Sequence, residues 1–262
     1  MQTGHKRLDR AEERIADEQS SLGAECDAFE EFRDAVSLAR TTAGNGPESA
    51  TETERLRAAY RETVMSSPDF EETYGESLAE SLENEFSAPV ANALSFEDQV
   101  TQRLKRDLLV GTNEAIERRE RVREALDAER ESIERVREAL VDIDRALAET
   151  PVPTLRALSF EEFLETWETC EELACRCERL LEERQSAIED IQAAIGGATS
   201  PHALNEYLYG ELETTYPALE AIARTRRSIK RHRRRRERHD DDDPRETSHE
   251  DGARHSPSMA DI

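Results

Sequence analysis

Glycine, aromatic side chains, lysine, histidine and long apolar runs are all scarce in this chain, and each shortage removes a class of protein. With ten glycines in 262 residues there is no Walker loop, no dinucleotide fingerprint and no nucleophile elbow, and no His-Glu-x-x-His occurs either. Aromatics at 5% beside charged residues at 37% argue against a broad, aromatic-lined enzyme core. Histidines stand at positions 5, 202, 232, 239, 249 and 255, and only His202 falls in the expected folded region, so a catalytic imidazole has little source. A di-iron bundle needs two inward Glu-x-x-His pairs, and the match here is Glu246–His249, near the C-terminus. The opening decapeptide has no apolar signal-peptide core and no stretch approaches 18 apolar residues, so a cytoplasmic location with no membrane contact is expected.

Four cysteines (Cys26, Cys170, Cys175, Cys177) are then expected as reduced thiols. The spacing of the last three suits packing better than zinc, since Cys170 and Cys177 lie a heptad apart on one helix face and Cys175 points elsewhere. No cofactor, metal or small-molecule substrate is inferred.

What is abundant is acid. Sixty Asp and Glu against 36 basic residues leave a net charge of -24, and only Lys6, Lys105 and Lys230 among the bases are lysine. Hydrated carboxylates with few long lysine stems suit a salt-saturated cytoplasm. There the Debye length falls to about 3 Å and self-repulsion is screened. Leu, Ile, Val and Phe together are 19% of the chain, a composition close to that of disordered proteins. Heptad patterning argues the other way.

Leu8, Ile15, Leu22, Phe29 and Val36 recur every seven residues, with Ala11, Phe32 and Ala39 on a second row that Glu18 and Glu25 interrupt. This predicts a helix over 5–40, broken by Ala43–Pro47. Leu56, Tyr60 and Val64 predict a helix over 52–66, and Tyr74, Leu78, Leu82 and Phe86 another over 70–87. Ser95–Asp98 reads as a capping box for a long helix over 96–149, with Leu126, Ile133, Leu140 and Leu147 interleaving with Val122, Val136 and Ile143, and Gly111–Asn113 as its expected kink. Pro151 and Pro153 end it, and Ser159–Glu162 caps a helix over 160–195. Its expected rows are Phe160, Trp167, Ala174, Leu181, Ile188 and Ile195 beside Phe163, Cys170, Cys177, Arg184 and Ile191, up to Gly196–Gly197. Ser200 and Pro201 open a short helix bearing Leu204, Tyr207 and Leu208, and Pro217 opens the last, bearing Leu219, Ile222 and Ile229.

Three stretches carry a resemblance: Arg10–Glu18 leading to Phe29–Phe32, Glu54–Val64, and Leu204–Tyr209 followed by Tyr216–Leu219. The chain resembles a family of uncharacterised haloarchaeal helical proteins, a domain of unknown function, over about residues 5–229. That resemblance implies a helical fold and brings no activity or site residues.

The remaining feature is a basic run. Ten of the fifteen residues 224–238 are Arg or Lys, and without these fifteen residues the net charge would be -33. Arg227, Lys230, Arg231, Arg233, Arg234, Arg235, Arg236 and Arg238 are the candidate polyanion-binding residues. A solvated helix end answered by Asp240–Asp243 and a surface for an acidic partner are the other readings. Salt favours the solvated end: ten phosphate contacts give a slope near -9, so counterion release yields little affinity in molar salt.

The expected fold is therefore all-α, an elongated antiparallel bundle or coiled coil with three long helices plus short ones over 1–230, and a disordered basic then acidic tail over 231–262. The expected role is a non-enzymatic scaffold or protein–protein interaction protein of a halophile, with itself or another helical protein as partner and nucleic-acid or polyanion binding through the arginine run as the alternative. Because screening must offset the net charge, helix content followed by circular dichroism should rise between about 0.1 M and about 3 M KCl. An unchanged spectrum over that range removes the halophile reading.

Overall fold

A computed structural model describes residues 2–41, 47–67, 75–150, 160–195 and 203–240, with side chains placed for 6–41, 52–67, 75–150, 161–162, 164–195 and 203–233. The expected break at 43–46, Tyr74, the prolines at 151 and 153, the caps at Ser159 and Ser200, Phe160 and Phe163 as row members, Gly196–Gly197, His202 and the tail over 241–262 lie outside these described backbones or side chains.

The first helix, α1, spans Gln2–Leu38, and its whole heptad row is buried, with Leu8, Ile15, Phe29 and Val36 fully enclosed. The two glutamates that interrupt the second row meet polar partners instead. Glu18 accepts from the Tyr207 hydroxyl at 2.8 Å and Glu25 from Arg119 Nε at 2.6 Å.

Helix α2, Pro47–Glu62, begins earlier than expected, on a proline whose missing N–H costs nothing at a helix start. A short 3-10 turn at Val64–Ser66 follows. Of the helix expected over 70–87, residues 70–74 lie outside the described residues; the described part holds α3 at Leu78–Glu85, preceded by Gly75 at φ 54, a left-handed conformation that a right-handed helix does not pass through. Ser77 then restarts the chain with a full capping box: its hydroxyl accepts from Glu80 N, and its own N–H donates to Glu80 Oε2 at 2.9 Å. These bonds hold the exposed Glu80 carboxyl below its ordinary range.

Ser95–Asp98 does not cap the long helix. Residues 88–96 form a separate helix, α4 (Ala88–Phe96), and Arg57 donates to the Leu94 and Glu97 carbonyls at 2.7 and 2.8 Å, satisfying the groups its C-terminus leaves open. The long helix α5 spans Gln102–Glu149, with the Thr101 hydroxyl accepting from Leu104 N. Its 48 residues measure about 72 Å. Gly111 does not interrupt it; the Phe86 ring lies where a side chain would go.

In α6, Phe160–Ala194, Cys170, Cys177, Arg184 and Ile191 are buried as the pattern predicts, and so is Ile188 of the second expected row, but Thr166, Leu173 and Leu180 form the companion row before it. Trp167, Ala174 and Leu181 are half-buried. Two neighbouring stripes are apolar because α6 has two neighbours, α5 on one side and the last helix on the other. Helix α7 is Ala203–Tyr209; Tyr209 is buried, whereas Tyr207, expected on the apolar face, is exposed. Helix α8, Pro217–Asp240, continues past the boundary expected after residue 230, so residues 231–240 are helical and not part of a disordered tail.

The bundle is antiparallel. Arg137 of α5 meets Asp9 and Glu12 near the start of α1, and Lys105 near the start of α5 donates to the Ser37 and Ala39 carbonyls at the far end of α1. The core falls into two parts along this α1–α5 spine. One joins their Leu8–Leu22 and Ala125–Leu147 stretches to α6, α7 and α8. The other joins Phe29–Ala39 and Val100–Ile116 to α2, α3 and α4, where Phe32, Tyr60 and Phe86 pack with centroids 5.1 to 6.3 Å apart. Three of the short helices, α2, α3 and α4, thus line one half of the rod, and α7 lies in the other.

Two glycines inside long helices should respond oppositely to alanine. A Cβ on Gly111 would sit 2.5 Å from Phe86 Cδ1, so Gly111→Ala should lower the melting midpoint, at an overpacking cost of about 1–3 kcal/mol partly offset by about 1 kcal/mol of helix propensity. A Cβ on Gly23 meets nothing within 4 Å, and Gly23→Ala should raise the midpoint by the equivalent of about 0.5–1 kcal/mol. Parallel thermal melts compare the two.

Candidate functional site

Two members of the basic run on α8 reach α6. Arg226 pairs with Glu178, and one heptad on Arg233 pairs with Glu171 at 3.0 Å. Arg233 also places its guanidinium 4.6 Å from the centre of the Trp167 ring, so this tryptophan packs against α8 and not in the α5–α6 seam. Arg224 pairs within its own helix with Glu220 at 3.0 Å. Arg227, Lys230 and Arg231 are exposed, with no ion pair among the described residues. Of the eight predicted binding residues the structure thus brings Arg233 into the bundle and leaves these three in solvent. The side chains of Arg234, Arg235, Arg236 and Arg238 lie outside the described residues.

Between the two helices runs a groove of about 490 Å³. Its floor includes Ala174, Leu181 and Ala223, and the Arg226–Glu178 and Arg233–Glu171 pairs bridge it.

The strongest electrostatic feature is one that heptad reading passes over. Val122, Val136 and Ile143 share a row whose missing member is Glu129, and Arg184 interrupts the cysteine row of α6. The two side chains meet in the core with only 1% and 2% of their surface exposed. Arg184 donates to both Glu129 oxygens at 2.6 and 2.9 Å and to Ser132 Oγ at 2.9 Å. Tyr209 donates to Glu129 Oε1 at 2.8 Å. Burial, reinforced by the Glu129 charge, drives the Tyr209 phenol far above its ordinary pKa, so it remains a donor. The signal in the sequence was a pair of opposite charges, each in a gap of a core row.

A second ionic centre joins the other half of the bundle. Arg119 binds Glu25 and Glu85, each at 2.6 Å, and lies 4.4 Å from the centre of the Phe29 ring. Burial opposes its charge, but the two carboxylates outweigh burial and its pKa goes up. A cavity of about 250 Å³ adjoins it. The groups lining that cavity are bonded to one another: Glu76 accepts from Asn84, and Ser81 shares a hydrogen bond with the Tyr60 hydroxyl at 3.0 Å.

Cys26, Cys170 and Cys177 are buried, Cys175 is exposed, and none of the four is in a disulfide. Burial pushes Cys26 and Cys177 up, away from thiolate chemistry. Among the described residues no group of three or more His, Cys, Asp or Glu side chains is placed to hold a metal, and no helix is long and apolar enough to cross a membrane.

The model of one family, described as a domain of unknown function (DUF7260), matches residues 6–233. The match extends past the expected limit at 229 and takes in the basic run as far as Arg233. No curated protein and no solved structure matches.

The Arg184–Glu129 pair makes a sharp prediction. Arg184→Ala leaves a buried carboxylate unpaired and should cost about 3–5 kcal/mol, whereas replacing Arg184, Glu129 and Tyr209 together by Leu, Leu and Phe should cost much less. Denaturant titrations of the two variants check this ordering.

Proposed function

We propose, for a chain that belongs to the family of the domain of unknown function (DUF7260), a non-enzymatic role as a rod-shaped scaffold that binds a helical protein or a second copy of itself in a salt-rich cytoplasm. The observation that carries this reading is the use made of the buried charge. Arg184 with Glu129, Arg119 with Glu25 and Glu85, and Arg57 with two backbone carbonyls each tie one helix to another. An enzyme holds perturbed ionisable groups open toward a substrate; here they are closed upon one another. Large apolar side chains also stand in solvent, Leu38 at 84% and Phe96 at 74% exposure, as contact points for a partner.

Polyanion binding through α8 is the second reading, favoured by the exposed Arg227, Lys230 and Arg231, which hold no ion pair among the described residues. Against it, Arg226 and Arg233 already hold carboxylates, and molar salt weakens phosphate contacts.

The two readings separate when the full chain is immobilised in about 3 M KCl and exposed to halophile extract with and without nuclease. The scaffold reading expects discrete proteins to be retained after nuclease treatment, also by a chain with Arg234, Arg235, Arg236 and Arg238 changed to Glu. Retention of nucleic acid that this charge reversal abolishes, with no protein held, replaces it by the polyanion reading.

A further inference from the structure

We propose that the groove between α6 and α8 is a docking site for an amphipathic helix of a partner protein, with acidic residues along the edge that faces α8. This rests on the scaffold reading and names the chemistry of the partner. From Cys170 to Leu181 the groove runs about 16 Å along α6, the length of three helical turns. Its floor of Ala174, Leu181 and Ala223 is apolar, the kind of surface on which an amphipathic helix lays its apolar face.

Charge sets the polarity of the occupant. The two bridging ion pairs, a heptad apart, neutralise Glu171, Glu178, Arg226 and Arg233. What remains is the uncompensated Arg227 and Lys230 on the α8 rim, both exposed and both lining the groove. On a chain of net charge -24, such a local positive edge over an apolar floor complements an acidic amphipathic helix. Nucleic acid fits worse. No aromatic ring lines the groove to stack a base, and the Trp167 ring nearby in sequence is already covered by Arg233.

The probe is a labelled synthetic helix of about four turns, with a Leu/Ala stripe edged by Glu on one side, compared with a scrambled peptide of the same composition, polyglutamate and duplex DNA. Fluorescence anisotropy is read with the full chain in about 0.5 M and about 3 M KCl. The expected result is binding of the amphipathic peptide alone at the higher salt, through the apolar floor, and at about 0.5 M KCl a weakening of that binding by at least about tenfold in R227E/K230E. The control R103E/R145E, an equal charge change on exposed α5 positions, should leave binding unchanged. Circular dichroism shows that the variants keep their helix content, and Ala174→Gln, which narrows the floor without changing charge, should also weaken binding. No peptide binding, equal binding by R227E/K230E and the control, or preference for DNA overturns the proposal. If extract proteins are still retained by R227E/K230E while the peptide fails, the groove assignment falls and the scaffold reading stands. If the unaltered chain retains no extract protein, the scaffold reading itself falls.

Discussion

One buried ion pair fixes how this bundle is put together. Arg184 of α6 and Glu129 of α5 occupy positions that an ordinary heptad core fills with leucine or valine, and each finds in the other nearly all the compensation it has. Such a pair adds little net stability over apolar packing, because desolvating two charges costs about what their attraction returns. Its consequence is register. A one-heptad slide of α6 along α5 would set Arg184 against Val122 or Val136 and Glu129 against Cys177 or Ile191, leaving two charges bare in a dry seam. Heptad repeats alone are nearly degenerate under such slides, and the internal repeat of Arg121–Leu126 at Arg135–Leu140 makes α5 especially so. The Tyr209 hydroxyl on Glu129 extends the constraint to α7, placing the link between α6 and α8 against the same point.

The same logic recurs along the rod with weaker partners. Arg119 joins α5 to α1 through Glu25 and to α3 through Glu85, while Arg57 and Lys105 neutralise the carbonyl ends of α4 and α1. Cations at helix C-termini are favoured by the helix dipole, and here they come from neighbouring helices, so each cap is also a tertiary contact. Lys105 is one of only three lysines. Its ammonium spans two carbonyls at once, at 2.7 and 2.8 Å.

This use of charge divides the molecule by depth. Inside, acid and base are matched; outside, acid predominates, and the arginines of α8 form an exception that the acidic face of α6 partly absorbs. The groove between those two helices is where the interior rule of apolar floor and paired charge reaches the surface.

Much of the architecture was legible in the sequence. The heptads of α1 and α5 fixed helix identity and the buried rows, and those of α6 its helix identity and cysteine row, because a side chain's place on a helix depends only on its spacing from its neighbours. The charge balance likewise needs no structure, being a sum over residues. Three-dimensional packing decided the rest. Trp167 was misplaced because a helix with two neighbours has two apolar stripes, and spacing does not say which neighbour each one meets. The start of α5 was misread because Ser95 and Thr101 are both competent caps, and Arg57, far away in sequence, closes α4 between them. The Arg184–Glu129–Tyr209 network joins residues 55 and 80 positions apart, and the sequence showed only gaps in two rows. Gaps of opposite charge become a bond only when folding brings them face to face in a place without water, and that juxtaposition belongs to the tertiary structure alone.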